Sequence, residues 1–154
     1  MERRAVLDRA VSDTPISSSL VFLDSNVFIY SQVERLPECK LAQTRIAEIK
    51  SRSELGINAI FVSECFYILN RFLGSEDASK RVSLFLDSSR VQYLSIEKAT
   101  LTKSMKLAVE KKQRRINDMI LAQHALDSKA DGIFTDNVKH FEGISGLNVI
   151  GLRR

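Results

Sequence analysis

The stretch Val21-Phe22-Leu23-Asp24-Ser25-Asn26-Val27-Phe28-Ile29-Tyr30 is an apolar run with one carboxylate and two small polar residues in its middle. Its apolar residues do not alternate with polar ones, a pattern typical of a central parallel strand covered by helices on both faces. An ionised carboxylate is costly there unless a partner stabilises it. We therefore expect Asp24 at the end of the strand, facing a metal, a base or a hydrogen-bond donor. An ordinary turn or helix cap is the alternative, because Asp-Ser-Asn readily forms one.

The composition is that of one compact domain: 154 residues, 44% hydrophobic and 27% charged. No apolar run reaches the roughly 18 residues that cross a bilayer, and the N-terminal segment has no apolar core of the secretory type. We expect residues 1–19 to be a tail or a loosely docked segment, residues 20–154 to be the domain, and the location to be cytoplasmic. The net charge of +4 weakly favours a polyanionic partner.

Apolar segments and breaks along the chain predict alternating strands and helices. After the opening strand, a helix starts near Pro37 and ends at Gly56, and Ser63 is the predicted cap of a helix beginning at Glu64. Further strands are predicted at 57–62, 91–96, 133–135 and 147–152, and further helices at 75–86, 97–110 and from Asp118 to about 126. This alternation predicts an α/β fold, with a parallel sheet of about five strands and helices on both faces.

Four carboxylates lie beside apolar runs, a setting that surface acids seldom have. Asp24 and Asp136 follow strands, whereas Glu64 and Asp118 are placed in the first turns of apolar helices. Each of the latter two has an ordinary explanation as a helix-terminal charge, worth roughly 0.3–1 kcal/mol. Four acids converging at the carboxyl ends of the strands would repel one another unless cations neutralised them. Oxygen ligands of this kind favour Mg²⁺ or Mn²⁺, and such an ion could activate water for hydrolysis of a phosphodiester.

The four acids stand in segments that follow one another in a recognisable order. The segments are Leu23–Ile29, Ser63–Leu69, Asn117–Ala125 and Gly132–Phe141. In residue types and order they resemble the acidic motifs of the PIN domains, the ribonuclease fold of VapC toxins in VapBC toxin–antitoxin pairs and of RNA-processing nucleases. The resemblance runs from about Val21 to Leu152 and covers nearly the whole chain.

This resemblance implies a single PIN-like domain that hydrolyses RNA phosphodiester bonds as an endoribonuclease, through a water activated by Mg²⁺ or Mn²⁺. Catalytic and metal-binding roles then fall to Asp24, Glu64, Asp118 and Asp136. A VapBC context further implies an antitoxin partner and a homodimer.

Supporting roles, orienting the carboxylates or binding metal-bound water, fall by the same resemblance to Ser25, Asn26, Thr135 and Asn137. Capping of turns and strand ends is the alternative for these four. Many family members carry the fourth acid two residues after the Thr, where this chain has Asn137. The fourth ligand is therefore either Asp136 or Asn137.

A basic cluster precedes the third acid and is the candidate contact with RNA phosphates, although a solvated turn is its ordinary explanation. It consists of Lys111, Lys112, Arg114 and Arg115. We expect His124 to be packed inside the fold, because it lies roughly 240° around its helix from Asp118. His140 follows the fourth strand by a few residues, which leaves an approach to the site as an alternative, but a surface loop is the expected position. Cys39 and Cys65 are expected as packed thiols.

Two other classes of function remain open. One is a PIN fold with weak or lost catalysis that binds RNA or acts as a scaffold, which the Asn137 departure would support. The other is a different doubly wound protein, such as a phosphatase, a receiver domain or a nucleotide-binding enzyme. The acids and glycines that those proteins require at fixed positions are absent from this sequence.

Overall fold

The computed structural model describes residues 19–153, so the predicted N-terminal segment lies outside the described residues except for Ser19. Five parallel strands form one sheet in the order β3-β2-β1-β4-β5. They are β1 (Ser19–Leu23), β2 (Ser53–Ile57), β3 (Val91–Tyr93), β4 (Gly132–Thr135) and β5 (Val149–Gly151). The predicted α/β fold with a parallel sheet of about five strands is thus confirmed.

Helices connect the strands and cover the sheet. They are α1 (Ser25–Gln32), α2 (Cys39–Lys50), α3 (Ala59–Leu73), α4 (Ser75–Leu86), α5 (Lys98–Glu110) and α6 (Ile116–Asp127), and a short 3-10 helix spans Val138–Phe141. Buried residues form two clusters, one including Leu23 and Phe28 and the other including Phe22 and Met119. Since Phe22 and Leu23 are neighbours on β1 and point to opposite faces, the sheet is buried on both sides. None of the described helices is long and apolar enough to cross a membrane.

The opening apolar run is two elements and not one strand. β1 ends at Leu23, Asp24 is extended with φ −78° and ψ 143°, and α1 begins at Ser25. Val27, Phe28 and Ile29 are all buried, so the short helix shows no polar face that would reveal helical periodicity. The prediction of a strand end near Asp24 is confirmed, but α1 was missed.

The second strand and the following helix begin earlier than predicted. Gly56 lies inside β2, where a Cβ atom would stand 3.1 Å from the Phe22 ring, so only glycine fits without displacing that ring. Asn58 caps α3, its Oδ1 accepting the Phe61 N–H at 3.1 Å. The prediction of Gly56 as a helix end and of Ser63 as a cap is therefore wrong, and Glu64 stands in the second turn of α3.

The order of the sheet fixes where a site can form. β1 lies at the centre of the sheet, between β2 and β4. From β1 the chain adds β2 and β3 on one side, and it then crosses to the other side to add β4 and β5. A crevice forms outside the carboxyl ends of β1 and β4, where successive connections leave to opposite sides. Asp24 and Asp136 follow these two strand ends, and Leu23 pairs with Phe134 in the register between them.

Candidate functional site

Asp24 stands buried at the carboxyl end of β1 and is fixed to β4. Its N–H donates to the carbonyl oxygen of Phe134 at 2.9 Å. The Thr135 hydroxyl donates to the Asp24 carboxylate, with 2.7 Å between Oγ1 and Oδ2, and the nearby Ser25 N–H also acts to lower the pKa of this carboxyl. Although Asp24 occupies the N-cap position of α1, its side chain makes no capping hydrogen bond to the helix. The carboxylate is therefore oriented by β4 and not by a cap.

Two helices bring further carboxylates to the same place. α3 carries Glu64 in its second turn, and α6 carries Asp118 in its first turn. The side chains of Glu64 and Asp118 line one cleft together with that of Asp24. Asn58 and Asn117 border the same cleft. We call this cleft, with the carboxylates of Asp24, Glu64 and Asp118, the acid cleft.

The three groups of the acid cleft resist ionisation. Burial raises the pKa of Asp24 to about 6, helped by the charge of Asp118 and opposed by the Thr135 hydrogen bond. Burial also raises the pKa of Glu64 to about 7, and the charges of Asp24 and Asp118 add to this effect. The pKa of Asp118 is raised by burial too, while His140 and Arg115 act in the opposite direction. Several perturbed acids in one cleft are typical of a functional site.

The chemistry of the acid cleft fits a hard divalent cation. Its carboxylate oxygens, with the side-chain amides of Asn58 and Asn117 beside them, are the donors that Mg²⁺ and Mn²⁺ prefer. Among residues 19–153, no three His, Cys, Asp or Glu side chains are arranged to hold one ion jointly. Mg²⁺ commonly keeps several waters and takes one or two carboxylates directly, so this spacing suits an ion that is bound partly through water.

Asp136 is engaged outside the acid cleft. Its Oδ1 lies 3.2 Å from Nε of Arg153, and Arg153 also lies 3.2 Å from Glu38. The charge of Asp136 adds to burial in raising the pKa of Tyr30, but it is not among the causes that perturb the three acids of the cleft. The structure thus brings three of the four predicted acids together and pairs the fourth with Arg153.

The four predicted supporting residues hold the strand end in two ways. Thr135 and Ser25 act on the Asp24 carboxylate as described above. Asn26 Oδ1 lies 3.4 Å from the Asp136 backbone nitrogen, and the Asn137 N–H donates to the Thr135 hydroxyl at 2.9 Å. The Asn137 side chain itself is exposed.

His140 and Arg115 border the acid cleft, which corrects the expectation of a surface-loop histidine. His140 is partly buried, with its Nδ1 2.9 Å from Asp118 Oδ2 and its Nε2 2.9 Å from Nη1 of Arg115. The neighbouring Phe141 is buried and anchors the 3-10 helix that carries His140. The position of His140 just before an apolar residue in the fourth motif was the one sequence feature that could have indicated this contact.

The basic cluster divides into residues with different surroundings. Lys111 donates from Nζ to the Gly143 carbonyl at 2.5 Å, which ties the loop before α6 to the segment after the 3-10 helix. Lys112 is exposed with a φ of 50°, and Arg114 is also exposed. Of the four side chains, Arg115 is the one whose described contact, with His140, leads to the acid cleft.

Asn58 and His124 join the two helices that carry Glu64 and Asp118. His124 is buried, its ring meets Phe22 edge to face with centroids 5.0 Å apart, and burial lowers its pKa. Its Nδ1 lies 3.0 Å from Nδ2 of Asn58, the cap of α3. The prediction of a packed His124 is confirmed. Sequence reasoning missed Asn58, although an Asn directly before an apolar helix is a common N-cap.

Cys39 and Cys65 are buried free thiols, as predicted.

Comparison with protein families gives one match that covers most of the chain. The model described as the PIN domain matches residues 21–145. No curated protein sequence matches.

Solved structures with a similar fold come from toxin–antitoxin systems. A chain of VapBC-1 from nontypeable Haemophilus influenzae is 25% identical with a TM-score of 0.66, and the match covers 88% of this chain and 99% of that one. A chain of VapBC2 from Rickettsia felis, solved bound to a DNA fragment from their promoter, is 20% identical with a TM-score of 0.68, covering 86% and 98%.

A third similar structure is VapC20 of Mycobacterium tuberculosis, described as a toxin that cleaves the sarcin–ricin loop. It is 13% identical with a TM-score of 0.63, and the match covers 75% of this chain and 87% of that one. At such identities the likeness shows a shared fold.

Proposed function

The chain belongs to the PIN domain family, and from this premise we propose that it is an endoribonuclease that depends on a divalent metal ion. The acid cleft is the observation that chiefly supports the proposal. Asp24, Glu64 and Asp118 meet at the switch point of the sheet, with the pKa of Asp24 raised to about 6 and that of Glu64 to about 7. Carboxylates at this distance repel one another when they are ionised, and a bound cation that neutralises them best explains why the fold holds them together.

Each residue of the cleft has a role in this proposal. Asp24 and Asp118, with Glu64 beside them, would hold Mg²⁺ or Mn²⁺, which when bound supplies a Lewis acid for the phosphate and lowers the pKa of water. Thr135 keeps the Asp24 carboxylate in its orientation through the 2.7 Å hydrogen bond. The pKa of Glu64 is raised to about 7 in the absence of an ion, so a cation bound in the cleft would favour the ionised form of this carboxylate.

Asp136 has a different place in the proposal. Its carboxylate already pairs with Arg153, so we assign it to the border of the cleft and not to the ion. Asn137 supports Thr135 through its backbone N–H and is likewise not assigned to the ion.

We further propose that the chain is the toxin of a VapBC-type pair, with an antitoxin and a second copy of itself as protein partners in the cytoplasm. The support is the likeness in fold to chains of VapBC-1 and VapBC2, over 88% and 86% of this chain. RNA is the proposed substrate, as it is for VapC20, the toxin that cleaves the sarcin–ricin loop.

Cleavage of a mixed RNA pool tests the nuclease proposal. The purified chain should cut RNA with Mn²⁺ or Mg²⁺, and cutting should stop with EDTA or with the Asp24→Asn substitution. Asp87→Asn is the matched control, because Asp87 is exposed at the end of α4, away from the switch point. Cleavage that persists both in EDTA and in Asp24→Asn would contradict the proposal.

Induced expression in a bacterial host tests the toxin proposal separately. The wild-type chain should arrest growth, whereas Asp24→Asn expressed at the same level should not. Normal growth with the wild-type chain would contradict the toxin role, and the RNA assay would still decide the nuclease activity.

A catalytically weak RNA-binding module is the second candidate. The fourth acidic position favours it, since Asp136 is paired with Arg153 and the Asn137 side chain is exposed. Binding of RNA without metal-dependent cleavage would establish this alternative.

A further inference from the structure

Arg115 and His140 form a small basic element at the edge of the acid cleft. We propose that Arg115 binds a backbone phosphate of the RNA strand and that His140 positions the Arg115 guanidinium for this contact. The inference rests on the proposed ribonuclease function and specifies how the substrate is held at that site.

The orientation of Arg115 follows from two contacts in series. Its Nη1 lies 2.9 Å from His140 Nε2, and His140 Nδ1 lies 2.9 Å from Asp118 Oδ2. A guanidinium has only donors, so His140 Nε2 accepts and the ring proton is on Nδ1. Nδ1 lies near the Asp118 carboxylate, but these two atoms do not have the geometry of a hydrogen bond, so the contact between them is electrostatic. The ring thereby spans the distance between an acid of the cleft and a cation outside it.

The guanidinium of Arg115 retains free donors. Of its nitrogen atoms, Nη1 is the one with a side-chain partner among residues 19–153, and the residue is exposed. A guanidinium carries five N–H groups in a planar fork that matches two oxygens of a phosphate. The donors not used by His140 are open to solvent and to a ligand.

Electrostatics gives a reason for a cation at this point. The three carboxylates of the acid cleft repel a polyanion that approaches them. A fixed positive charge beside Asp118 offsets this repulsion and attracts the strand to the cleft. Arg115 has this position, whereas Lys111 is bonded to the Gly143 carbonyl, and the Arg114 side chain has no partner among residues 19–153.

Binding of fluorescein-labelled, mixed-sequence single-stranded RNA, followed by fluorescence anisotropy, tests the proposal. All variants carry Asp24→Asn and are measured with MgCl₂, so that RNA is not cut during the measurement. Arg115→Ala should weaken binding about tenfold, because a charge-assisted contact with phosphate is lost. The slope of log affinity against log salt should also fall by about 0.7, the contribution of one phosphate of a single strand.

Arg52→Ala is the matched control, since it removes an exposed arginine directly before β2, at the end of the sheet opposite the acid cleft. We expect its effect on affinity to be less than threefold. Arg115→Lys should keep the salt slope and still weaken binding, because it preserves the charge but not the fork. Equal affinities for Arg115→Ala and Arg52→Ala would overturn the proposal, provided that thermal melting shows both variants folded.

Two substitutions separate positioning by His140 from mere packing. His140→Ala should weaken RNA binding without changing the salt slope by a full phosphate contact, because Arg115 keeps its charge but loses its support. His140→Gln keeps an acceptor for Arg115 and should restore part of the affinity. Wild-type affinity in His140→Ala would remove histidine from the proposal.

The outcomes distinguish this inference from the proposed function. Metal-dependent RNA cleavage combined with unchanged binding in Arg115→Ala would leave the nuclease standing and overturn the phosphate contact. Weakened binding in Arg115→Ala without any cleavage by the wild-type chain would support the contact and overturn the nuclease.

Discussion

Replacing Glu64 by Gln should stabilise the metal-free protein at neutral and alkaline pH. The pKa of Glu64 is raised from 4.5 to about 7, and each pKa unit corresponds to about 1.4 kcal/mol. The full rise corresponds to about 3 kcal/mol, which solvent at this partly exposed side chain reduces to on the order of 1–2 kcal/mol. Gln cannot ionise and is not repelled by Asp24 and Asp118, so the free energy of unfolding should increase by about this amount.

The sign of the pH dependence follows from proton binding. The folded chain holds the Glu64 proton more tightly than the unfolded chain does, so its contribution is fully present below about pH 4.5 and is lost as the pH rises through about 7. Asp24, whose pKa is raised to about 6, acts in the same direction at lower pH. The two proteins should therefore be about equally stable near pH 4 and differ most near pH 8.

Urea unfolding in EDTA, followed by circular dichroism at several pH values, measures this difference. Glu34→Gln is the control, because Glu34 is exposed in the turn after α1. If Glu64→Gln and Glu34→Gln gave the same pH profile of unfolding free energy, burial and the charges of Asp24 and Asp118 would not disfavour ionised Glu64. That result would refute the electrostatic description of the cleft.

Three further predictions concern the hydrogen bonds and ions around Asp24. Thr135→Val removes the 2.7 Å bond to Asp24 and should lower the free energy of unfolding by about 1–3 kcal/mol in urea, whereas Thr135→Ser should lower it less. Asp136→Asn removes an ion pair with exposed Arg153, so the free energy of unfolding in urea should change by less than about 1 kcal/mol and RNA cleavage should persist. Loss of cleavage would assign Asp136 to the ion. Mn²⁺ should raise the melting temperature of the wild-type chain in calorimetry but not that of Asp24→Asn, and equal shifts would place the ion elsewhere.

The fold could be predicted from the sequence where hydrophobic periodicity and breaks agree. Polar residues lie at both ends of α5 and α6, and the limits of these helices, Lys98–Glu110 and Ile116–Asp127, lie close to those predicted. The run from Val21 to Tyr30 gave no such contrast, because α1 is covered on nearly all sides and looks like a continued strand. The local sequence predicts a helix end at Gly56, because the role of this glycine depends on the Phe22 ring of the neighbouring strand, which only the tertiary structure brings close.

The site was predictable to the extent that its residues follow apolar elements. Asp24, Glu64 and Asp118 were found in this way, and the structure brings them to one cleft. Asp136 and its partner Arg153 are 17 residues apart along the chain, and His140 and its partner Arg115 are 25 residues apart. The fourth motif places Asp136 and His140 near the strand end, but it does not give Arg153 or Arg115 as their partners, which only the tertiary structure shows.

The acid cleft carries an electrostatic cost that a bound ion can offset. Its three carboxylates are kept together although Gln at Glu64 alone should increase stability by on the order of 1–2 kcal/mol. An ion present at a hundred times its dissociation constant stabilises the folded state by about 2.7 kcal/mol, which is larger than this cost. The fold therefore tolerates the repulsion most easily when the ion is bound. Because the Thr135 hydrogen bond orients the Asp24 carboxylate without an ion, this part of the cleft can keep its shape before the ion arrives.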